Sequence, residues 1–85
     1  MVLGVGVRAY VLITTTIGSE YEVLEDLVKI AEAGMKIDAD VVYGEYDLIV
    51  ILEAIDLSSL DRAITQVRKH PKIMKTTTLI SSKAR

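Results

Sequence analysis

The chain has no cysteine, which excludes disulfides, thiolate metal sites and cysteine nucleophiles together. It has one histidine, His70, so no histidine pair is available to hold a metal. Nor is there an excess of positive charge: ten Lys and Arg stand against twelve Asp and Glu, a net charge of −2. The basic residues are scattered apart from Arg68-Lys69-His70-Pro71-Lys72 and the tail Lys83-Ala84-Arg85. A domain that grips nucleic acid by counterion release carries a basic patch and a positive balance, so direct nucleic-acid binding is not expected. The uncharged apolar runs are too short to span a bilayer, and Met1-Val2-Leu3-Gly4 lacks the basic region of a signal peptide, so the expectation is a cytoplasmic protein without a membrane partner. P-loop, dinucleotide fingerprint and nucleophile elbow are all missing, so no cofactor, catalytic residue or enzymatic mechanism is specified.

What is present is 85 residues, 51% of them apolar, with charges interspersed throughout. That is enough for a single domain over 1–85. A chain this short buries only about two-thirds of its unfolded surface, and association with copies of itself would add to its stability.

The organising stretch runs from Val41 to Leu52. Two β-rich runs flank Gly44-Glu45, and a two-residue loop with Gly first suits a type II′ hairpin. The register that follows pairs Tyr43 with Tyr46, Val42 with Asp47 and Val41 with Leu48. One face then carries Ile37, Ala39, Val41 and Tyr43 with Tyr46, Leu48, Val50 and Leu52, an apolar surface suited to burial under helices. The other carries Asp38, Asp40 and Val42 with Asp47, Ile49, Ile51 and Glu53. Branched aliphatics between carboxylate margins predict a partner surface.

Upstream, Arg8 to Thr16 is rich in β-branched and aromatic types and predicts the first strand, which Gly18 breaks. Ser19 and Glu22 form an S-x-x-E capping box for a helix whose apolar stripe is Leu24, Leu27, Val28 and Ala31, with Gly34 as its stop. Downstream, Asp56 or Ser58 caps a second helix with the stripe Leu57, Leu60, Ile64 and Val67. Arg68, Lys69 and His70 suit its negative end, and Pro71 stops it. Ile73 to Ile80 is the fourth strand, and Ser81 to Arg85 reads as a frayed tail. The order β-α-β-β-α-β predicts an α+β, ferredoxin-like fold: a four-stranded antiparallel sheet, first and third strands central, with both helices on one face. The bare opposite face predicts dimerisation through the sheet, as in a dimeric α/β barrel.

Among candidate functional residues, Asp47 comes first, because a carboxylate beside turn amides suits an ammonium group and Gly44 lets a small ligand approach. The plainer alternative has Asp47 bonding turn amides only. Thr14-Thr15-Thr16 and Thr76-Thr77-Thr78 place hydroxyls on neighbouring strands, where β propensity alone explains them. Tyr10, Tyr43 and Tyr46 either frame a pocket or, more commonly for such residues, pack in the core or at an interface. His70 reads as a helix-end residue, and Asp38 with Asp40 as a solvated strand margin, so no metal site is assigned.

Taken together and in order, Tyr43-Gly44-Glu45-Tyr46-Asp47, the strand Leu48 to Glu53, Ala63-Ile64, His70-Pro71-Lys72-Ile73 and Lys75-Thr76-Thr77-Thr78-Leu79-Ile80 resemble the RAM domain. This is the effector-binding C-terminal domain of the leucine-responsive/asparagine (Lrp/AsnC) regulators. The likeness covers about residues 7–81. It implies a subunit that dimerises through its sheet, assembles further into a ring of dimers, and binds a free amino acid where dimers meet. By position it implies Gly44, Tyr46 and Asp47 as the ligand-contacting turn and Thr76 and Thr78 as ligand-contacting residues of the last strand, with Tyr43 a neighbour. The chain has no room for the regulators' helix-turn-helix, and Lys72 stands where the family often has Gly. It therefore resembles the stand-alone RAM proteins, an amino-acid-sensing and self-assembly module with full-length Lrp/AsnC regulators as further partners. The alternatives are a small dimeric ferredoxin-like enzyme of the monooxygenase type, which needs a polar pocket on the helix side, and a purely structural oligomerisation module.

Overall fold

Alternation with a period of two decides where the sheet buries its residues. The structure, a computed structural model, describes residues 6–30 and 35–81. In β1 (Val7–Thr15), Ala9, Val11, Ile13 and Thr15 are buried, while Arg8, Tyr10, Leu12 and Thr14 turn to the opposite side and are half-buried. In β3 (Leu48–Ala54), Leu48, Val50, Leu52 and Ala54 are buried, and Ile49, Ile51 and Glu53 take the other face. With β2 (Lys36–Val41) and β4 (Ile73–Ser81) these form one antiparallel sheet in the order β2-β3-β1-β4. The two most apolar strands are central, as the ferredoxin-like arrangement requires.

Helices α1 (Glu20–Val28) and α2 (Leu57–Arg68) supply the other half of the core through Val23 and Leu27 and through Leu60, Ala63, Ile64 and Val67. Two expected stripe residues lie outside it. Leu57 is 57% exposed because it opens α2 ahead of the packed turns, and Val28 is 42% exposed because α1 ends there, a turn short of the span expected from Gly34. Ala31 and Gly34 lie outside the described residues.

The ends of α2 follow the sequence. Asp56 is extended, and its Oδ1 accepts the Ser59 N–H at 2.8 Å. The backbone and side-chain hydrogen bonds of Ser59, with a smaller contribution from Arg62, hold the Asp56 carboxyl below its ordinary value. At α1 the capping box does not form. Ser19 occupies the N-cap, but its side chain makes no cap bond, since the backbone there lies outside the extended region that the motif uses. Glu22 instead receives Lys72 Nζ at 2.8 Å. Next to that pair, His70 Nδ1 accepts the Lys72 N–H at 3.1 Å, which leaves the ring proton on Nε2, 2.8 Å from Asp26 Oδ2. His70 thus lies past the end of α2 and not in its last turn, and its ring ties the α2–β4 connection to α1.

The hairpin differs from its sequence reading at its tip. The register of β2 and β3 is the expected one, Val41 opposite Leu48 and Ile37 opposite Leu52. Beyond Val41 and Leu48, however, the strands part, and the connection is the six residues Val42 to Asp47 instead of Gly44-Glu45 alone. The Val42 N–H still reaches the Asp47 carbonyl at 2.9 Å, but the Asp47 N–H turns to the Ile13 carbonyl of β1 at 2.8 Å. Asp47 is thereby drawn to the central strand, so Tyr43 and Tyr46 do not pair. Tyr43, expected in the core, is 95% exposed. At the other end of the chain, Ser81, expected in the tail, belongs to β4 and pairs with Arg8.

Two outcomes are expected. Thr15 is buried, and its Oγ1 has no hydrogen-bond partner among the described residues. Thr15→Val should therefore raise unfolding stability by about 1–2 kcal/mol in urea titrations. The Asp56 carboxyl is depressed in the folded state, so the stability it contributes is present above the ordinary carboxylate range and is lost as pH falls through the folded value. Asp56→Ala should lower the melting temperature at pH 7 and flatten the acid limb below about pH 4, with Asp56→Asn close to wild type at pH 7.

Candidate functional site

The helix-free face of the sheet forms four rows across β2, β3, β1 and β4. Their members follow from the strand pairings. The first is Lys36, Glu53, Arg8 and Ser81, the second Asp38, Ile51, Tyr10 and Leu79, and the third Asp40, Ile49, Leu12 and Thr77. The fourth row, at the loop end, holds Thr14 and Lys75. The centre of this face is apolar and no element of the chain covers it among the described residues.

At the first row, Arg8 donates from Nε to Glu53 Oε2 at 2.7 Å, and its Nη2 lies 2.6 Å from the same oxygen. Its Nη1 reaches the Tyr10 hydroxyl at 3.1 Å. The Tyr10 hydroxyl and then the Glu53 carboxylate hold the guanidinium above its ordinary value. These residues, with Lys36 and Asp38, border an open cavity of about 320 Å³. At the other end of the face, Thr14, Glu45, Tyr46 and Lys75 line a smaller one of about 160 Å³. On the helix side, a cavity of about 360 Å³ lies against Leu57, Ser58, Asp61, Ile64 and Ile80.

Gly44, Tyr46 and Asp47 lie together in the loop. Gly44 has φ +139°, which disfavours any side chain there. The Tyr46 hydroxyl approaches Thr77 Oγ1 at 3.5 Å, on the rim of the smaller cavity. Asp47 Oδ2 accepts the Thr15 N–H at 2.8 Å and so caps the end of β1. Its carboxylate bonds backbone, as in the plainer alternative, but that of the neighbouring strand. Thr76 and Thr78 pair with Ile13 and Val11 and share their helix-side face. The structure therefore brings Thr77, not Thr76 or Thr78, to Tyr46. Glu45, Lys75 and the Arg8–Glu53 pair were not singled out by the sequence reading. A register count from β1 into β4 would have found Lys75 and Thr77, but that ladder shifts between Thr14 and Thr15. Asp47→Ala should cost about 1.5–3 kcal/mol in a denaturant titration, because the N–H at the end of β1 loses a charged acceptor.

No family model matches the chain, and no curated protein matches it. Solved structures do. The hypothetical protein PHS023 from Pyrococcus horikoshii is 46% identical over 88% of each chain, with a TM-score of 0.77. FFRP-DM1 is also 46% identical, over 88% of this chain and 97% of its own, with a TM-score of 0.76. The transcriptional regulator NMB0573 from Neisseria meningitidis, solved as a complex with L-Met, shares the fold at 12% identity and a TM-score of 0.70. The match covers 94% of this chain and 52% of the regulator.

Proposed function

From the membership of this chain in the family of FFRP-DM1, one of the Lrp/AsnC-type proteins, we propose that it is a stand-alone amino-acid-sensing module that self-associates through the open face of its sheet. The cavity at the loop end carries this reading: Glu45 and Lys75 offer a carboxylate and an ammonium, and Tyr46 and Thr14 offer hydroxyls, around a space sized for a small zwitterion. The L-Met bound by the regulator of like fold supports an amino acid as the ligand class. In this mechanism the ligand's charged groups meet loop and strand atoms from more than one subunit. Occupancy then biases the assembly equilibrium of dimers and their ring, and the assembly state sets the affinity for ligand in return. Assembly onto full-length regulators, in the cytoplasm, is its second role.

We read the protein as a binder and not a catalyst. The helix-side cavity that a monooxygenase-type enzyme would use is bordered by apolar residues with one hydroxyl, Ser58, and one carboxylate, Asp61. Calorimetry against the twenty amino acids, run beside sedimentation velocity, is expected to find at least one ligand that binds and shifts the oligomer, with Lys75→Ala and Tyr46→Phe weakening it by about tenfold each. Silence across the panel at millimolar concentration would sink the sensing role and leave a structural assembly module.

A further inference from the structure

The charges on the open face specify how two copies meet. Face-to-face packing of identical sheets is isologous, so a residue that touches a partner residue is touched by its counterpart in return. The two-fold axis lies between the sheets and runs either along the strands or across them. An axis across the strands sets β2 over the partner's β2 and brings Asp38 onto the partner's Asp40, two carboxylates with no cation between them. An axis along the strands preserves each row and lays β3 over the partner's β1 and β2 over the partner's β4. Ile51 then meets the partner's Tyr10, and Ile49 the partner's Leu12. Asp38 and Asp40 face Leu79 and Thr77, away from one another.

The same operation has its largest electrostatic effect in the first row, where Arg8 lies over the partner's Glu53 and Glu53 over the partner's Arg8. The Arg8–Glu53 pair is already formed, two-thirds shielded from solvent and oriented by the Tyr10 hydroxyl. We propose that Arg8 and Glu53 join the same two residues of a second copy in a closed ring of four alternating charges, which selects the strand-parallel axis and fixes the register of the dimer. Leu12, Ile49 and Ile51 supply apolar contact that slides readily. The ring supplies the directional contact that does not, because an axis moved onto β1 stacks Arg8 on the partner's Arg8, and one moved onto β3 stacks Glu53 on the partner's Glu53. This inference rests on the sheet-to-sheet reading above and adds its geometry.

Charge reversal separates the two. In Arg8→Glu all four charges become negative, and in Glu53→Arg all four become positive. Each variant alone is expected to raise the dimer dissociation constant on the order of 100-fold in sedimentation equilibrium. Mixed in equal amounts, the two are expected to form a one-to-one heterodimer by native mass spectrometry, because every cross-interface pair is then attractive even though both internal pairs are repulsive. Melting curves report folding throughout. Should either variant fail to fold, Arg8→Gln with Glu53→Gln is expected to stay folded with a weaker dimer whose salt dependence is flattened. The ring is overturned if the mixture forms no heterodimer, or if the neutral pair leaves affinity and salt dependence unchanged. Leu12→Asp tests the underlying reading: a dimer that survives it does not use this face, whereas one lost by Leu12→Asp but untouched by the charge changes uses the face without the ring.

Discussion

The register between β1 and β3 is the constraint on which the molecule depends. Alternation sets which face of β1 and β3 is buried, but a slip of one strand by two residues keeps that pattern and still sets apolar side chains opposite one another. The deciding contacts lie at the two ends. Asp47 accepts the last β1 N–H, from Thr15, and Arg8 grips Glu53 at the far end. Between these two charge-assisted bonds the ladder has one length, and the Ile13–Leu48, Val11–Val50 and Ala9–Leu52 pairs fall under the helices.

The same bonds account for the shape of the loop end. Drawing Asp47 to β1 opens the hairpin into six residues, throws Tyr43 into solvent and swings Tyr46 to the margin of the helix-free face beside Thr77 and Lys75. One oxygen of the carboxylate that reads in the sequence as a ligand contact thus accepts a backbone N–H, and the groups around the cavity are its neighbours. The backbone bond of Asp47 and the cavity side chains of Glu45 and Tyr46 thus occupy adjacent positions of one short segment.

The fold was legible because its signals are local: apolar alternation in β1 and β3, the Asp56 cap, Pro71, and the break at Gly18, whose φ is +84°. The candidate site was legible only in part, because it depends on which residues three strands place side by side. The Gly44 turn pattern is also local, yet a bond from a third strand overrode it. Ser19 and Glu22 have capping-box spacing, but Lys72, fifty residues away, takes the Glu22 carboxylate. Thr76 and Thr78 differ from Thr77 by a single step of alternation. Their pairing with Ile13, Leu12 and Val11 decides which of them turns toward Tyr46.

The proposed sheet-to-sheet dimer would make abundance a variable of this protein. Among the described residues the sheet is covered by helices on one side only, so part of the apolar surface that Tyr10, Leu12, Ile49 and Ile51 offer would leave water only when a second copy arrives. Folding stability would then rise with concentration by mass action. Expression level and lifetime would be coupled through the same four side chains.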